Sequence, residues 1–358
     1  MEFGAALRKR KIDFALFCSL GSERPDKNML YFSGYDGIGC LVFPAYGEPF
    51  LLVPAMEFER AKRLSSVKTY RMGKGKIFTL LGSSVKKMGI AARRIGVDES
   101  DFPLKAARSL QKSFRKAGIA DIGNSALSTR SIKSPKEVSI ISRACDIASG
   151  ILSGCIERFE RFGTEKEVSD YLITEAARKG VMPSFPPIVA SGKNACMPHH
   201  SPTGQPLQKG FCIIDFGVVH DGYCSDISRT IYLGKPSSSE RNLYANFVDV
   251  QEQLINSLTP GKDCSEMHRL AQRLLGRNSK YFIHGLGHGI GLQIHELPTL
   301  STGSPDRIRE GMVFTIEPGI YLPQKSGIRI EDDVAVMNGK IHILTRMPKK
   351  LIVKEGFA

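Results

Sequence analysis

The sequence predicts two domains, an α/β unit followed by an α+β unit that repeats its own plan. Three observations predict this. Short apolar runs alternate with helical patterns over residues 1–128. A second set of elements opens on a helix-capping signature at Ser134-Pro135-Lys136-Glu137. Within that second set, two helices lead to a histidine-bearing segment and then to a strand–turn–strand carrying two carboxylates, and this happens twice. A chain of 358 residues is long enough for two domains of ordinary size.

In the first unit, the runs DFALF, GCLVF and PFLLVP read as strands, and RRIGVDES adds another. Helical patterns fall at 55–64 and 104–117. Gly, Asn and Ser cluster in GNSALSTRS, residues 123–131, which puts the division into domains 1–128 and 129–358 there. In the second unit, Ser134 caps a helix, Pro135 suits its first position and Glu137 completes a capping box. Apolar residues then recur at 141, 144, 148, 151, 155 and 159, one stripe of a long helix. Thr164 with Glu167 opens a second helix on the same box, and Ser237 with Glu240 a third, running to about 258. A fourth covers 265–275.

Composition narrows the class. Hydrophobic residues make up 42% and charged residues 24%, as in a soluble globular protein. No uncharged apolar run reaches the ~18 residues of a membrane span, and the start, MEFGAALRKRKID, lacks the apolar core of a signal peptide. A cytoplasmic protein is expected. None of the eight cysteines forms a C-x-x-C pair, so they read as buried free thiols. Net charge is +14, but its clusters (RKRK at 8–11, AKR at 61–63, ARR at 92–94, SFRK at 113–116) are scattered, with no basic helix, aromatic-rich RNA motif or zinc finger. They read as a solvated basic surface, with neither nucleic acid nor membrane as partner.

The chemistry lies in the carboxylates. The segment CIIDFGVVHDGYCSDISRTIYL reads as two strands around a tight turn. If Asp221-Gly222 is the loop, Asp226 lies opposite Gly217, diagonal to Asp215. If His220-Asp221 is the loop, Asp215 faces Asp226 directly. Both registers put the two side chains on one face, because side chains alternate with period two. Asp215 follows two isoleucines and precedes Phe216, so it is expected to be buried, and two close buried carboxylates cannot both stay ionised without cations. The segment GMVFTIEPGIYLPQKSGIRIEDDVAVM is again strand, loop, strand, with Glu317 at the end of an apolar strand and Glu331 two residues after Arg329. Arg329 is a candidate to hold one of these carboxylates in place. The segment YFIHGLGHGIGLQIHE carries His284, His288 and His295 among glycines that allow close backbone approach. It is neither a dinucleotide fingerprint nor a helical zinc motif. In PHHSPT, prolines on both sides fix the backbone around His199 and His200, of which His200 reads as plain surface.

Four carboxylates, Asp215, Asp226, Glu317 and Glu331, balance two divalent cations, with His288 as a neutral ligand. Oxygen-rich ligation with one imidazole favours Mn²⁺, with Co²⁺, Fe²⁺ or Zn²⁺ as other occupants.

These residues carry a family resemblance. The runs FPPIVASGKNACMPHHSPT, IIDFGVVHDGYCSDISRTIYLG, HGLGHGIGLQIHE, GMVFTIEPGIYL and GIRIEDDV resemble the pita-bread metallopeptidases, among them Xaa-Pro dipeptidase (prolidase), Xaa-Pro aminopeptidase and methionine aminopeptidase. NMLYFSGY at 28–35 and SIKSPKEVSIISRACDIA at 131–148 resemble the creatinase-like N-terminal domain and domain junction of the proline-specific branch. The resemblance implies an α/β creatinase-like domain ahead of an α+β pita-bread catalytic domain with a pseudo-two-fold repeat. Carried over by position, it implies metal binding by Asp215, Asp226, His288, Glu317 and Glu331. It gives Glu317 a second role as general base, His199 the stabilisation of the oxyanion, and His295 substrate contact and proton donation. It assigns His284 to the proline pocket, and it suggests a homodimer. Ser228 stands where the family usually has Thr and keeps the hydroxyl. The short N-terminal domain favours a dipeptidase, with an aminopeptidase on longer peptides as the alternative. A catalytically inactive binding protein on the same fold is the alternative of another class; all five ligand positions being filled argues against it.

Overall fold

The computed structural model describes residues 2–21 and 25–357. The chain divides into two compact units, Met1–Arg130 and Ser131–Ala358.

In the first unit the elements run α1 (Glu2–Lys9), β1 (Phe14–Ser19), α2 (Lys27–Ser33), β2 (Gly39–Pro44), β3 (Phe50–Val53), α3 (Phe58–Leu64), β4 (Lys68–Arg71), α4 (Ile77–Lys87), β5 (Arg94–Val97), α5 (Leu104–Ser113), β6 (Gly118–Asp121) and α6 (Gly123–Ser131). The strands form one mixed sheet in the order β4-β3-β2-β1-β5-β6. Strand β1, FALFCS, reads as a continuous apolar run because both faces of the sheet are covered. Phe14 and Leu16 face a core shared with Phe78 and Leu81 of α4 and Leu110 of α5. Ala15 and Phe17 face the other, shared with Phe3, Met29, Ala61 and Ala126. The sequence reading did not name β4 or β6. It also read GNSALSTRS only as the place where the domains divide and named no helix there, whereas this segment is helix α6. Tertiary contacts override its weak propensity: Ala126 and Arg130 are buried, and Arg130 donates to Asn28 Oδ1 at 2.8 Å.

The basic excess lies mainly in the first unit. Residues 1–130 hold 23 Lys and Arg against 12 Asp and Glu, and residues 131–358 hold 27 against 24. All four basic clusters lie in the first unit.

The second unit begins with α7 (Pro135–Glu157) and α8 (Glu165–Arg178), then β7 (Met182–Pro183), β8 (Ile188–Ser191), β9 (Gly210–Phe216), β10 (Val218–His220), β11 (Tyr223–Cys224) and β12 (Ile227–Leu233). The plan then repeats with α9 (Ser238–Asn256) and α10 (Cys264–Leu275), followed by β13 (Gly287–Gly289), β14 (Glu296–Leu300), β15 (Val313–Ile316), β16 (Gly319–Leu322), β17 (Ser326–Arg329) and β18 (Asp332–Met337). Strands β19 (Lys340–Ile343) and β20 (Val353–Lys354) complete the sheets, ordered β20-β12-β9-β8 and β14-β13-β15-β18-β19. In the first copy β8, β9 and β12 are antiparallel neighbours, and in the second β13, β15 and β18 are. Helices α7 and α8 bury Leu152 and Leu172 against Ile214 and Phe216. Helices α9 and α10 bury Phe247, Leu254 and Met267 against Phe314 and Val334.

Helix starts follow the capping chemistry. Full capping boxes form at Ser134/Glu137 and Ser237/Glu240. The box expected at Thr164 forms by half: Thr164 Oγ1 accepts from Glu167 N at 3.2 Å, but the Glu167 carboxylate takes Gly163 N at 2.6 Å instead. By length and composition α7 could cross a bilayer, but half of that stretch is buried within the protein. Its stripe residues Ile141, Ala144, Ala148, Ile151 and Cys155 belong to the core, each large one contributing about 1.5–3 kcal/mol by its burial. Seven of the eight cysteines are buried free thiols, and Cys196 is half-buried.

Candidate active site

The two carboxylate pairs come from equivalent hairpins. In the first, Ser228 pairs with Asp215 and Ile227 with Phe216, and the same register continues through His220 opposite Tyr223. This is the register with Asp221-Gly222 as the loop. Both loop residues have positive φ, 46° and 84°, the backbone that a two-residue turn needs to match strand twist. Asp226 therefore lies diagonal to Asp215, one step past the paired run. Gly217 is required there: a Cβ would sit 1.8 Å from the Ser225 carbonyl oxygen. In the second hairpin Ile316 pairs with Asp332, so Glu317 and Glu331 each stand one residue beyond a strand end.

The two pairs meet through a hydroxyl and a guanidinium. Ser228 Oγ donates to Glu331 Oε2 at 2.8 Å and accepts from Arg329 Nε at 2.8 Å. Arg329 also pairs with Asp215 Oδ2 at 2.7 Å and donates to Tyr321 OH at 2.9 Å and Pro198 O at 3.2 Å. Arg329 thus orients a carboxylate of each copy. An Arg329→Lys variant, whose single ammonium cannot span these partners, is expected to fold yet bind divalent metal roughly 10–100-fold more weakly. Metal titration by calorimetry measures this, and a change below threefold would contradict it.

His288 stands at a bulge in β13. Its Nδ1 lies 3.2 Å from the Gly289 carbonyl, which accepts and so places the proton on Nδ1. The lone pair of Nε2 then points inward, 3.4 Å from Glu317 Oε1 and 3.8 Å from Asp226 Oδ2. One ligand atom each from Asp226, His288 and Glu331 lies within 4.8 Å of the others, a grouping that could hold a metal ion. Asp215 Oδ1 and Asp226 Oδ1 are buried without a hydrogen-bond partner. Orphaned carboxylate oxygens of this kind fit a cation.

Electrostatics point the same way. Burial, with Glu331 and Asp215 nearby, pushes the Asp226 carboxyl well above the usual carboxylate range. Burial again, with Glu317 and Asp215, does the same to Glu331. Glu317 is pushed up to about 8 by burial, with Arg329 opposing and Asp215 adding. His288 is lowered to about 4 by burial and by His295, which keeps its imidazole neutral as a ligand must be.

A cavity of about 530 Å³ opens on this cluster, lined by all five candidate ligands together with His199, His284 and His295. The His295 ring meets the His288 ring edge-on at 4.4 Å between centroids. His284 donates from Nδ1 to Gly285 O at 2.7 Å, so its Nε2 accepts from Tyr321 OH at 2.9 Å. Phe185, Pro186, Pro187 and Ile294 form an apolar wall.

The sequence reading needs correction at His200, which is not plain surface. Its side chain is 8% exposed and its Nε2 lies 2.8 Å from Glu165 Oε2. It also missed the acids behind the site. Asp333 accepts from Asp226 N at 2.9 Å and Cys145 Sγ at 3.2 Å. Asp332 is held by Arg229 at 2.7 Å, Thr345 at 2.7 Å and Gln251 at 2.9 Å. The run Glu331-Asp332-Asp333 carried that signal, since three consecutive acids in an apolar strand all need partners.

The chain is similar to known proteins over most of its length. The profile of Metallopeptidase family M24 matches residues 139–338, and that of the Creatinase/Prolidase N-terminal domain matches residues 2–132. The chain is 32% identical over 333 residues to a protein of Pyrococcus horikoshii named Xaa-Pro dipeptidase, covering 91% of this chain and 92% of that one. It is 33% identical over 337 residues to an uncharacterised peptidase of Staphylococcus epidermidis, covering 90% and 93%. Among solved structures it is similar to an Xaa-Pro dipeptidase from Bacillus anthracis, with TM-score 0.91, 29% identity and coverage of 99% and 98%. It is also similar to an X-Pro aminopeptidase from Thermotoga maritima, with TM-score 0.87, 27% identity and coverage of 97% and 99%.

Proposed function

Because the chain belongs to metallopeptidase family M24, we propose that it hydrolyses the Xaa-Pro bond at the amino end of dipeptides and short peptides, in the manner of a prolidase. The carrying observation is the convergence of Asp215, Asp226, His288, Glu317 and Glu331 with three further histidines on one cavity. These five residues would hold two divalent cations, whose chemistry is Lewis acidity towards the scissile carbonyl and a lowered pKa for the attacking water. One imidazole among carboxylates favours Mn²⁺, with Co²⁺, Fe²⁺ or Zn²⁺ as substitutes.

The protein's own groups do the rest. Glu317, basic enough to take a proton near neutral pH, accepts it from the attacking water at its carboxylate. His199 donates to the carbonyl oxygen as charge develops there. His295 donates a proton towards the proline nitrogen, which has no hydrogen of its own and leaves badly unprotonated. His284 and the apolar wall take the ring. In this reading residues 129–358 form the catalytic domain, and residues 1–128 supply no catalytic group. A cytoplasmic location fits eight free cysteines. The homodimer rests on family resemblance, and light scattering would test it.

One observation favours a second reading, an aminopeptidase on longer peptides. Among the described residues lining the cavity, Arg329 is the one permanent cation, and its guanidinium is committed to Asp215, Ser228, Tyr321 and Pro198. Four of its five N–H groups are thus already engaged within the protein, which disfavours it as the partner of a free carboxylate beside proline. Kinetics on Ala-Pro, Ala-Pro amide, Ala-Pro-Ala and Met-Ala-Ser, with metal analysis, separate the readings. Turnover of both Ala-Pro and Ala-Pro-Ala with little on Met-Ala-Ser is expected. Turnover of Met-Ala-Ser alone, or a protein that takes up no divalent metal, would end the proposal.

A further inference from the structure

One buried carboxylate close to the cavity has no place in that reaction. Glu165 is the first residue of α8 and is 1% exposed. Its Oε1 accepts from Ser191 N at 2.8 Å, Ser191 Oγ at 2.9 Å and Asn194 Nδ2 at 2.9 Å. Its Oε2 faces His200 Nε2 at 2.8 Å, Thr203 N at 3.3 Å and Thr203 Oγ1 at 3.4 Å. All six groups belong to the end of β8 and the strap that joins it to β9. Burial pushes the Glu165 carboxyl up, but the hydrogen bonds from Ser191, Asn194 and His200 outweigh it and hold the group below its ordinary value.

The strap's one solvent-exposed imidazole is His199, which lines the cavity. It is bracketed at both neighbours. Pro198 O accepts from Arg329 at 3.2 Å, and the His200 ring is fixed to Glu165. Pro198 and Pro202 restrict the backbone between these anchors. The strap is also tied to the start of α8 by Lys166 N to Thr203 O at 3.0 Å and Leu207 N to Gly163 O at 2.9 Å.

We infer that Glu165 is a positioning residue for His199: its carboxylate folds the 191–203 strap around itself and so fixes the imidazole that faces the scissile carbonyl. This rests on the role proposed for His199. Charge is essential to the device, because a carboxylate only accepts, and donors converge on both of its oxygens. Glutamine in that place turns an NH₂ towards one group of three, and the backbone N–H in either group cannot reverse its role.

The test compares wild type, Glu165→Gln, His199→Ala and the double variant on Ala-Pro, with metal content and hydrogen exchange over residues 191–203. Glu165→Gln is expected to lower kcat by roughly 10–100-fold, the scale of a misplacement near 1 Å, with metal content unchanged. Amide exchange speeds up in the strap. On the His199→Ala background the same substitution costs less than about twofold, since the group it positions is gone. Losses that multiply, an unchanged kcat or loss of metal alongside turnover would each overturn the inference. If Glu165→Gln does not fold, His200→Phe removes one arm and His200→Gln restores a donor. The Phe variant should then lose turnover and the Gln variant recover most of it, and equal activity in the two overturns the inference. A wild type inactive on every Xaa-Pro peptide would refute the proposed reaction instead, while the exchange data still judge whether Glu165 orders the strap.

Discussion

Turnover in a Glu317→Gln variant is expected to fall by roughly 10²–10⁴-fold while the fold survives, the range for loss of a positioned proton acceptor. Glutamine matches glutamate in size and preserves the packing after β15. The amide also removes one of the charges that raise the carboxyls around it, Glu331 above all. What it cannot do is take a proton. The assay is run at saturating Mn²⁺ with bound metal measured, so that weakened affinity is not mistaken for lost proton transfer. A fully loaded variant within tenfold of wild type would remove Glu317 from its proposed role.

Chelation is expected to abolish activity, with Mn²⁺ or Co²⁺ restoring it, and to leave a distinctive pH dependence of stability. Glu317 has a folded-state value of about 8 against an ordinary 4.5, raised first by burial, and Glu331 and Asp226 are raised in the same direction. A carboxyl raised on folding binds its proton more tightly in the native state, so its stabilisation is complete below pH 4.5 and is lost as pH rises through 8. The chelated protein should therefore lose thermal stability between pH 5 and 8. The loaded protein should lose much less, because cations hold the carboxylates deprotonated throughout and add about 2.7 kcal/mol at a hundredfold excess over Kd. Thermal midpoints at pH 5 and pH 8, with and without metal, measure the difference. The same slope in both forms would mean that these carboxylates do not share a cation site.

The sequence showed the repeated plan because its signals are local. Capping boxes at Ser134 and Ser237 and the short apolar runs around Asp215 and ahead of Glu317 are legible without tertiary structure. The register was open between two choices, and Asp221 decided it by taking a left-handed backbone with φ 46°, which nearest-neighbour reading does not fix. The helix within GNSALSTRS was not legible because it is held by Arg130 reaching Asn28, 102 residues away. His200 failed for the same reason, its partner Glu165 lying on another element. The ligand types were readable one by one. Arg329 was also readable as a holder of a carboxylate, from its place two residues before Glu331, but its reach to Asp215 and the Ser228 link to Glu331, across 114 and 103 positions, were not, since nothing in the spacing says which side chains meet across the two copies.

The cysteine inventory has a practical outcome. Seven thiols are shut away in cores, and those with a raised pKa, such as Cys145, Cys155 and Cys212, are raised chiefly by burial, which leaves them little thiolate to react with an electrophile. Cys196 is the half-buried exception, three positions from His199 in the same strap. A maleimide fluorophore is thus expected to attach at this one thiol in preference to the other seven, without any engineering.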